Sequence, residues 1–280
     1  MEGASAVPEK PLEDPELRLL FEGVYRQYGF DFRDYAGASL RRRVLGVVDT
    51  ENVGSISRLR ERVLHDPECF ERLLSRLTVH VTSMFRDPSF YVAFREQVVP
   101  LLRTYPFVRI WHAGCSSGEE VYSMAILLEE EGLYKRCRLY ATDLSETVLK
   151  RAKAGVFPLA PMREYTENYQ RAGGKRAFSD YYTARYQQVL FRPALQENLV
   201  FAQHNLVTDS AFNDFNVVLC RNVMIYFNQA LQRRVHELLH ASLVRLGVLG
   251  LGRRESLRFT SHEASYQVVD ASEQLYRRVL

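Results

Sequence analysis

The sequence lacks any apolar run long enough to cross a bilayer, which excludes a membrane-spanning helix. Its first residues are acidic and proline-bearing without an apolar centre, so no secretory signal is expected. Cysteine is sparse. Cys69, Cys115, Cys137 and Cys220 show no C-x-x-C spacing, which fits reduced thiols in a cytoplasmic protein. The seven histidines are read as holding no H-x-x-x-H or H-E-x-x-H spacing, and no metal is expected. Neither sign of charge dominates, and a net charge of +3 gives no general attraction to nucleic acid or to a membrane. No internal repeat is present. What the chain does have is 280 residues, 46% of them apolar. That is enough for one large domain or two small ones around a substantial core.

The most informative stretch runs from Phe107 to Glu131. Val108, Ile110 and Trp111 read as a buried parallel strand. Ala113-Gly114-Cys115-Ser116-Ser117-Gly118-Glu119-Glu120 follows, and then a helix with Val121, Met124, Ala125 and Leu128 on one face. Gly114 and Gly118 carry no Cβ, so a ligand can approach the turn closely. Ser116 and Ser117, with Glu119 and Glu120 after them, read as N-caps of a capping box. Strand, glycine turn and helix start suit the nucleotide corner of a doubly wound α/β domain, and equally an ordinary βα turn.

Upstream, residues 1–12 read as a disordered tail and 13–78 as a helical domain. Its helices are expected over Asp14–Tyr28, Phe32–Val48, Ile56–Leu64 and Pro67–Leu77. Arg33, Arg41, Arg42 and Arg43 lie beside the second apolar stripe, either as a solvated face or as a patch for an acidic partner. Residues 79–280 read as the α/β domain. A helix is expected over Ser89–Leu102, started by Asp87-Pro88. Arg138–Thr142 is a second strand ending in Asp143, which is placed to hold ribose hydroxyls, to cap the next helix, or both. Residues 176–198 read as an antiparallel β insertion. Leu199–His204 and Phe215–Cys220 resume the sheet. Tyr266–Val269 and Gln274–Val279 close it as a hairpin.

Several strings now stand in order: Val81-Thr82-Ser83-Met84-Phe85-Arg86-Asp87-Pro88, Ser116-Ser117-Gly118-Glu119-Glu120, Ala141-Thr142-Asp143 and Cys220-Arg221-Asn222-Val223-Met224-Ile225-Tyr226-Phe227. Together they resemble the CheR family, bacterial S-adenosylmethionine-dependent methyltransferases that esterify glutamates of chemoreceptors. The resemblance implies a class I methyltransferase, Rossmann-like with a mostly parallel seven-stranded sheet, an N-terminal all-helical domain and a small antiparallel insertion. It implies S-adenosylmethionine as cofactor, S-adenosylhomocysteine as product, and a receptor's cytoplasmic helical bundle as partner. A monomer with no nucleic acid, metal or membrane insertion is expected.

Residue by residue, the resemblance sets His80, Thr82 and Arg86 against the cofactor's methionine end. It sets Glu120 at the amino group, Asp143 at the ribose, and Asn205, Leu206, Arg221 and Asn222 around the adenosine. Gly114 lets the cofactor approach, and Tyr226 faces the methyl. Arg86 and Tyr226 are the catalytic candidates, and Arg41, Arg42 and Arg43 the docking candidates. Three departures stand out. His80 replaces a usual Asn, Arg253-Arg254-Glu255-Ser256 replaces a smaller pattern, and the segment around Tyr186 lacks the glycine loop of tether-binding relatives.

Three other classes compete. A dehydrogenase needs G-x-G-x-x-G, and the middle glycine is missing here. An RNA methyltransferase lacks its Asn/Asp-Pro-Pro-aromatic string. A cofactor-binding regulatory or scaffold protein of a chemosensory-like array keeps the site but transfers little, and retention of Arg86 and Tyr226 speaks against it.

Overall fold

The computed structural model describes residues 14–33, 35, 37–77, 82–258 and 260–280. The expected tail and His80 lie outside the described residues. The chain forms two compact units. One comprises Met1–Val79 with Tyr226–Arg234, the other His80–Ile225 with Val235–Leu280.

The first unit contains α1 (Pro15–Tyr28), α2 (Gly37–Thr50), α3 (Ile56–His65) and α4 (Pro67–Leu77). Asp14 caps α1 by accepting from the Glu16 and Leu17 N–H groups, and Gly29 ends it in the left-handed region. Leu17, Leu20, Phe21 and Val24 are buried, as their spacing requires. Helix α2 starts five residues later than its apolar spacing predicts. The Asp31 carboxylate takes the Arg33 N–H at 3.1 Å, which favours a turn there. Phe32 is buried against Phe21, with ring centroids 5.8 Å apart. Tyr35 forms a β-bridge with Phe227, and their rings meet edge to face at 4.8 Å.

The second unit runs α5 (Pro88–Ala93), α6 (Val99–Leu102), β1 (Val108–Ala113), α7 (Glu119–Glu130), β2 (Cys137–Asp143), α8 (Glu146–Ala154), β3 (Val156–Pro158), α9 (Met162–Arg171), β4 (Tyr182–Arg185), β5 (Gln188–Phe191), β6 (Leu199–Gln203), β7 (Phe215–Cys220), α10 (Gln229–Ser242), β8 (Leu243–Leu251), β9 (Tyr266–Asp270) and β10 (Leu275–Arg278). Helix α10 begins in the first unit and ends in the second. The expected Ser89–Leu102 helix is interrupted by a π-turn over Phe94–Val98, just before Pro100, which has no N–H to give to Glu96.

The seven-stranded sheet has the order β6-β2-β1-β7-β8-β10-β9. It is parallel from β6 to β8 and antiparallel in the closing hairpin, as expected. Strand β1 buries every residue but Arg109, and Trp111 donates to Thr142 Oγ1 at 2.9 Å. The small sheet has the order β3-β5-β4, so one of its three strands, β3, comes from outside the predicted insertion. In β8 the positive φ of the bulge falls on Leu246. Gly247 is required instead by space, since a Cβ there would meet Val244 O at 2.9 Å.

His236-Glu237-Leu238-Leu239-His240 on α10 is an H-E-x-x-H spacing, which corrects the reading that the sequence holds none. His240 stacks on His262 at 4.1 Å with rings 11° apart, so their in-plane lone pairs do not converge, and Glu237 is exposed. Among the described residues no group of three His, Cys, Asp or Glu is arranged to hold a metal. Burial, and then repulsion from His262, pushes His236 down to about 4. Burial, then Arg278 and His262, pushes His240 down to about 4.

Both histidines are therefore neutral in the fold, whereas the unfolded chain takes up protons below its ordinary value of 6.5. Stability from this source is full above that value and declines as pH falls toward 4. The urea midpoint is expected to drop between pH 7 and pH 5. His236→Gln should flatten that slope, and an equal slope in the variant would contradict the assignment.

Candidate functional site

The parallel strands leave a crevice at their carboxyl ends. From β1 the chain passes outward to β2 and β6, then returns to the other side of β1 as β7. That reversal is where α/β sheets bind ligands. Gly114 leaves β1 with φ +77°, and a Cβ there would meet Val223 Cγ2 at 2.6 Å. The glycine is thus demanded by both backbone and space. The capping box does not form. The N-cap of α7 is Gly118 at φ +96°, with no side-chain cap, because the turn reverses there and its N–H goes to Cys115 O. Ser117 bonds the Glu119 carboxylate at 2.7 Å. Ser116 presents its backbone N–H to Asp143 at 2.8 Å.

Asp143 ends β2 and ties two turns together. One carboxylate oxygen accepts from Ser116 N, the other from Ser145 N at 3.2 Å. Helix α8 starts at Glu146 with Ser145 as its N-cap, so Asp143 is not that cap. The Asp143 carbonyl accepts from His204 N, which brings Asn205 and Leu206 after β6 alongside. Asn205 is fixed by donating its N–H to Asp209 and accepting from Val207 N.

A buried chain of charges crosses the crevice between β1 and β7. Arg221 has a side chain only 2% exposed and donates from Nη1 to Glu120 Oε2 at 3.0 Å and from Nη2 to Asp87 at 2.9 Å. It also bonds the Arg86 carbonyl at 3.3 Å and lies 4.0 Å from the Phe90 ring centroid. The other Glu120 oxygen meets His112 Nδ1 at 2.9 Å. Burial alone would push the Glu120 carboxyl up, but His112 and Arg221 outweigh it and hold Glu120 below the ordinary range. Glu120 is therefore an anion at neutral pH. The Tyr91 hydroxyl and His112 Nε2 are buried without a hydrogen-bond partner among the described residues. His112 and Asp87 were not singled out from sequence, although an acid beside a proline and a histidine inside an apolar strand are visible signals.

Glu255 is the second anchor that sequence reading left unassigned. It is buried, and its carboxylate accepts four backbone N–H bonds: Asn222 at 2.8 Å, Val223 at 2.8 Å, Met224 at 2.7 Å and Gly252 at 2.6 Å. Asn222 is held at φ +60° by this clamp. Cys115 and Cys220 lie buried on either side, at the ends of β1 and β7.

Thr82 and Arg86 are half-buried at the start of this unit. Tyr226 belongs to the first unit, where the Arg43 guanidinium lies 5.4 Å from its ring centroid. Arg43 is thus not a solvated cation. It donates to Leu77 O at 2.5 Å, and burial pushes its guanidinium down. Arg41 pairs with Asp14 at 3.0 Å, and Arg33 with Asp31 and Glu22. Arg42 is exposed.

Two family models match: "CheR methyltransferase, SAM binding domain" over residues 80–275, and "CheR methyltransferase, all-alpha domain" over residues 15–78. The chain belongs to the CheR methyltransferase family. It is 49% identical to a Pseudomonas putida protein named "Putative methyltransferase Cher3", over 95% of this chain and 97% of that one. It is 30% identical to a "Chemotaxis protein methyltransferase" of Listeria monocytogenes, over 84% and 87% of the two chains. Among solved structures it is similar to a SAM-dependent methyltransferase from Geobacter sulfurreducens, with S-adenosyl-L-homocysteine. The identity is 14% and the TM-score 0.33, over 62% of this chain and 49% of that one. The chain spans about half the length of the solved structures it matches, and at that score they carry no argument.

CheR chemistry requires a place for S-adenosylmethionine, and the residues present fit it. Each Asp143 oxygen accepts one backbone N–H, and an ionised carboxylate has about four acceptor sites. Two remain for a vicinal diol. Glu120 is an anion suited to an ammonium. The turn at Gly114 has no room for a side chain. These features require the Asn222–Met224 turn to stay in place. Glu255→Ala would strand four backbone donors, those of Met224 and Gly252 buried, and each stranded buried donor costs about 1–3 kcal/mol. The expected loss is at least about 3 kcal/mol of folding stability, read by urea denaturation. A loss below about 1 kcal/mol would mean that water replaces the clamp.

Proposed function

We propose that this chain moves the methyl group of S-adenosylmethionine to glutamate side-chain carboxylates of a chemoreceptor's cytoplasmic helical bundle. The observation that carries the reading is the pairing of two anchored anions, Asp143 and Glu120, at the switch point of a sheet in a CheR-family chain. Relatives named chemotaxis protein methyltransferase support the substrate class.

In this proposal Asp143 accepts from the ribose hydroxyls and Glu120 from the cofactor's amino group. Asn205, Leu206 and Asn222 line the adenosine, and Arg221 acts through Glu120, which it holds. His80 and Thr82 lie toward the methionine end, and Gly114 lets the backbone approach. When bound, the cofactor supplies a methyl made electrophilic by its sulfonium. The acceptor needs no general base, because a glutamate with pKa about 4.3 is already ionised at neutral pH. The protein's work is alignment and exclusion of water, and alignment can supply up to roughly 7–11 kcal/mol. A carboxylate taken out of water needs a cation, which Arg86 provides. Tyr226 donates a hydrogen bond or forms the wall. Arg41 and Arg42 meet the receptor's acidic face, while Arg43 supports Tyr226. The hairpin at Tyr186 has no glycine loop, so no receptor tether is needed.

Labelled S-adenosylmethionine incubated with receptor cytoplasmic fragments should yield base-labile methyl esters. Cofactor binding without transfer to any fragment would favour a regulatory role instead. Asp143→Ala should weaken S-adenosylmethionine binding by about 10- to 100-fold in calorimetry, since hydrogen bonds to a charged group contribute about 1.5–3 kcal/mol. Arg86→Ala and Tyr226→Phe should each lower kcat at least about tenfold, the scale of one lost transition-state contact. Their melting temperatures should stay near wild type. A melting drop that by itself accounts for the lost activity would assign them structural roles.

A further inference from the structure

The Arg253-Arg254-Glu255-Ser256 departure from the family's smaller pattern has only half its residues explained by the fold. Glu255 clamps the Asn222–Met224 turn. Arg253 is bound to Glu273 at 2.7 Å and to Ser89 Oγ at 2.5 Å. Arg254, and Arg258 four residues further on, are exposed, and neither has an ion-pair partner among the described residues. Both line a cleft of about 540 Å³ whose other wall is the closing hairpin. Tyr266, Val268 and Tyr276 present apolar surface there, and Val268 is 55% exposed on the edge strand β9. Glu255 and Glu263 also line it, so with Arg253 the three arginines leave the cleft with a net positive lining.

We propose that this cleft docks an acidic segment of the methyl-accepting protein, next to the glutamate being modified. Two features point to that occupant. Exposed guanidiniums beside aromatic and aliphatic side chains suit a peptide carrying carboxylates with apolar neighbours, since Arg forms forked bonds to carboxylates. The cleft is also joined to the transfer site by one residue. Glu255 lines the cleft and holds the N–H groups of Asn222, Val223 and Met224, two residues before Tyr226. A substrate seated here is thus placed next to the turn that leads to the catalytic tyrosine. The inference rests on the glutamate-methylation reading above. It adds a second contact, separate from Arg41 and Arg42.

The test uses the full chain and two readouts. The first is receptor-fragment methylation by wild type and by the Arg254→Glu, Arg258→Glu double variant. At low salt the variant should raise KM for the fragment about tenfold and leave kcat within about twofold, because exposed charges act on encounter and register. S-adenosylmethionine affinity should not change. The KM difference should shrink at about 0.5 M salt as screening shortens the reach of the charges. The second readout is fluorescence anisotropy of a labelled receptor peptide carrying glutamates, which needs no transfer. The peptide should bind the wild type at least about tenfold more tightly than the double variant, and more tightly than its glutamine counterpart binds.

Arg254→Gln, Arg258→Gln should fall between wild type and reversal. Equal KM and equal peptide affinity in wild type and double variant would overturn the docking site while leaving methyl transfer standing. Equal binding of the glutamate and glutamine peptides would overturn it as well. If the peptide discriminates but no fragment is methylated, the transfer reading fails and the acidic-segment site remains.

Discussion

A guanidinium removed from water organises the ligand crevice. Arg221 has a side chain 2% exposed, and leaving such a charge uncompensated costs several kcal/mol. Glu120 and Asp87 provide the compensation, and each comes from a different segment. Meeting that demand draws the first turn of α7, the entrance to α5 and the end of β7 to one point. His112 locks Glu120 from the floor of β1. Burial also pulls the Arg221 guanidinium down, but Glu120, Tyr91 and Asp87 more than reverse it, so the cation persists. The Glu120 anion that the site offers is therefore a by-product of stabilising Arg221.

Glu255 plays the matching part on the other side of β7. Four backbone N–H groups converge on one carboxylate, and Gly252 has no side chain because a Cβ would meet Asn222 N at 2.7 Å. The left-handed Asn222, the glycine and the acid form one device. Burial pushes the Glu255 carboxyl up, and the four donors pull against it without fully reversing the shift.

The buried strands, the closing hairpin and the carboxyl-end position of Asp143 were all legible in the sequence. Apolar runs and glycines report directly on buried strands and tight turns. The misses have a common origin, since each depends on a partner distant in sequence. Ser116 and Ser117 look like caps until Asp143 takes the Ser116 N–H. Val156–Pro158 looks like a loop until β5 arrives to pair with it. Arg43 looks like a surface charge until Leu77 and Tyr226 surround it. Glu255 looked like a departure from a family pattern, and only its four amide partners reveal its use. The H-E-x-x-H on α10 shows the reverse. Its spacing matches a metal motif, while the fold stacks the His240 ring on His262.

The two cysteines at the ends of β1 and β7 acquire a meaning from where they sit. Cys115 is in the glycine turn itself, and Cys220 directly precedes Arg221. A thiolate is a far better nucleophile than a carboxylate, and a sulfonium methyl donor is an alkylating agent. Burial pushes both thiols well above their ordinary range, with nearby carboxylates adding to the shift. Each therefore stays protonated and unreactive. The low polarity that packs these strands also protects the protein from alkylating itself.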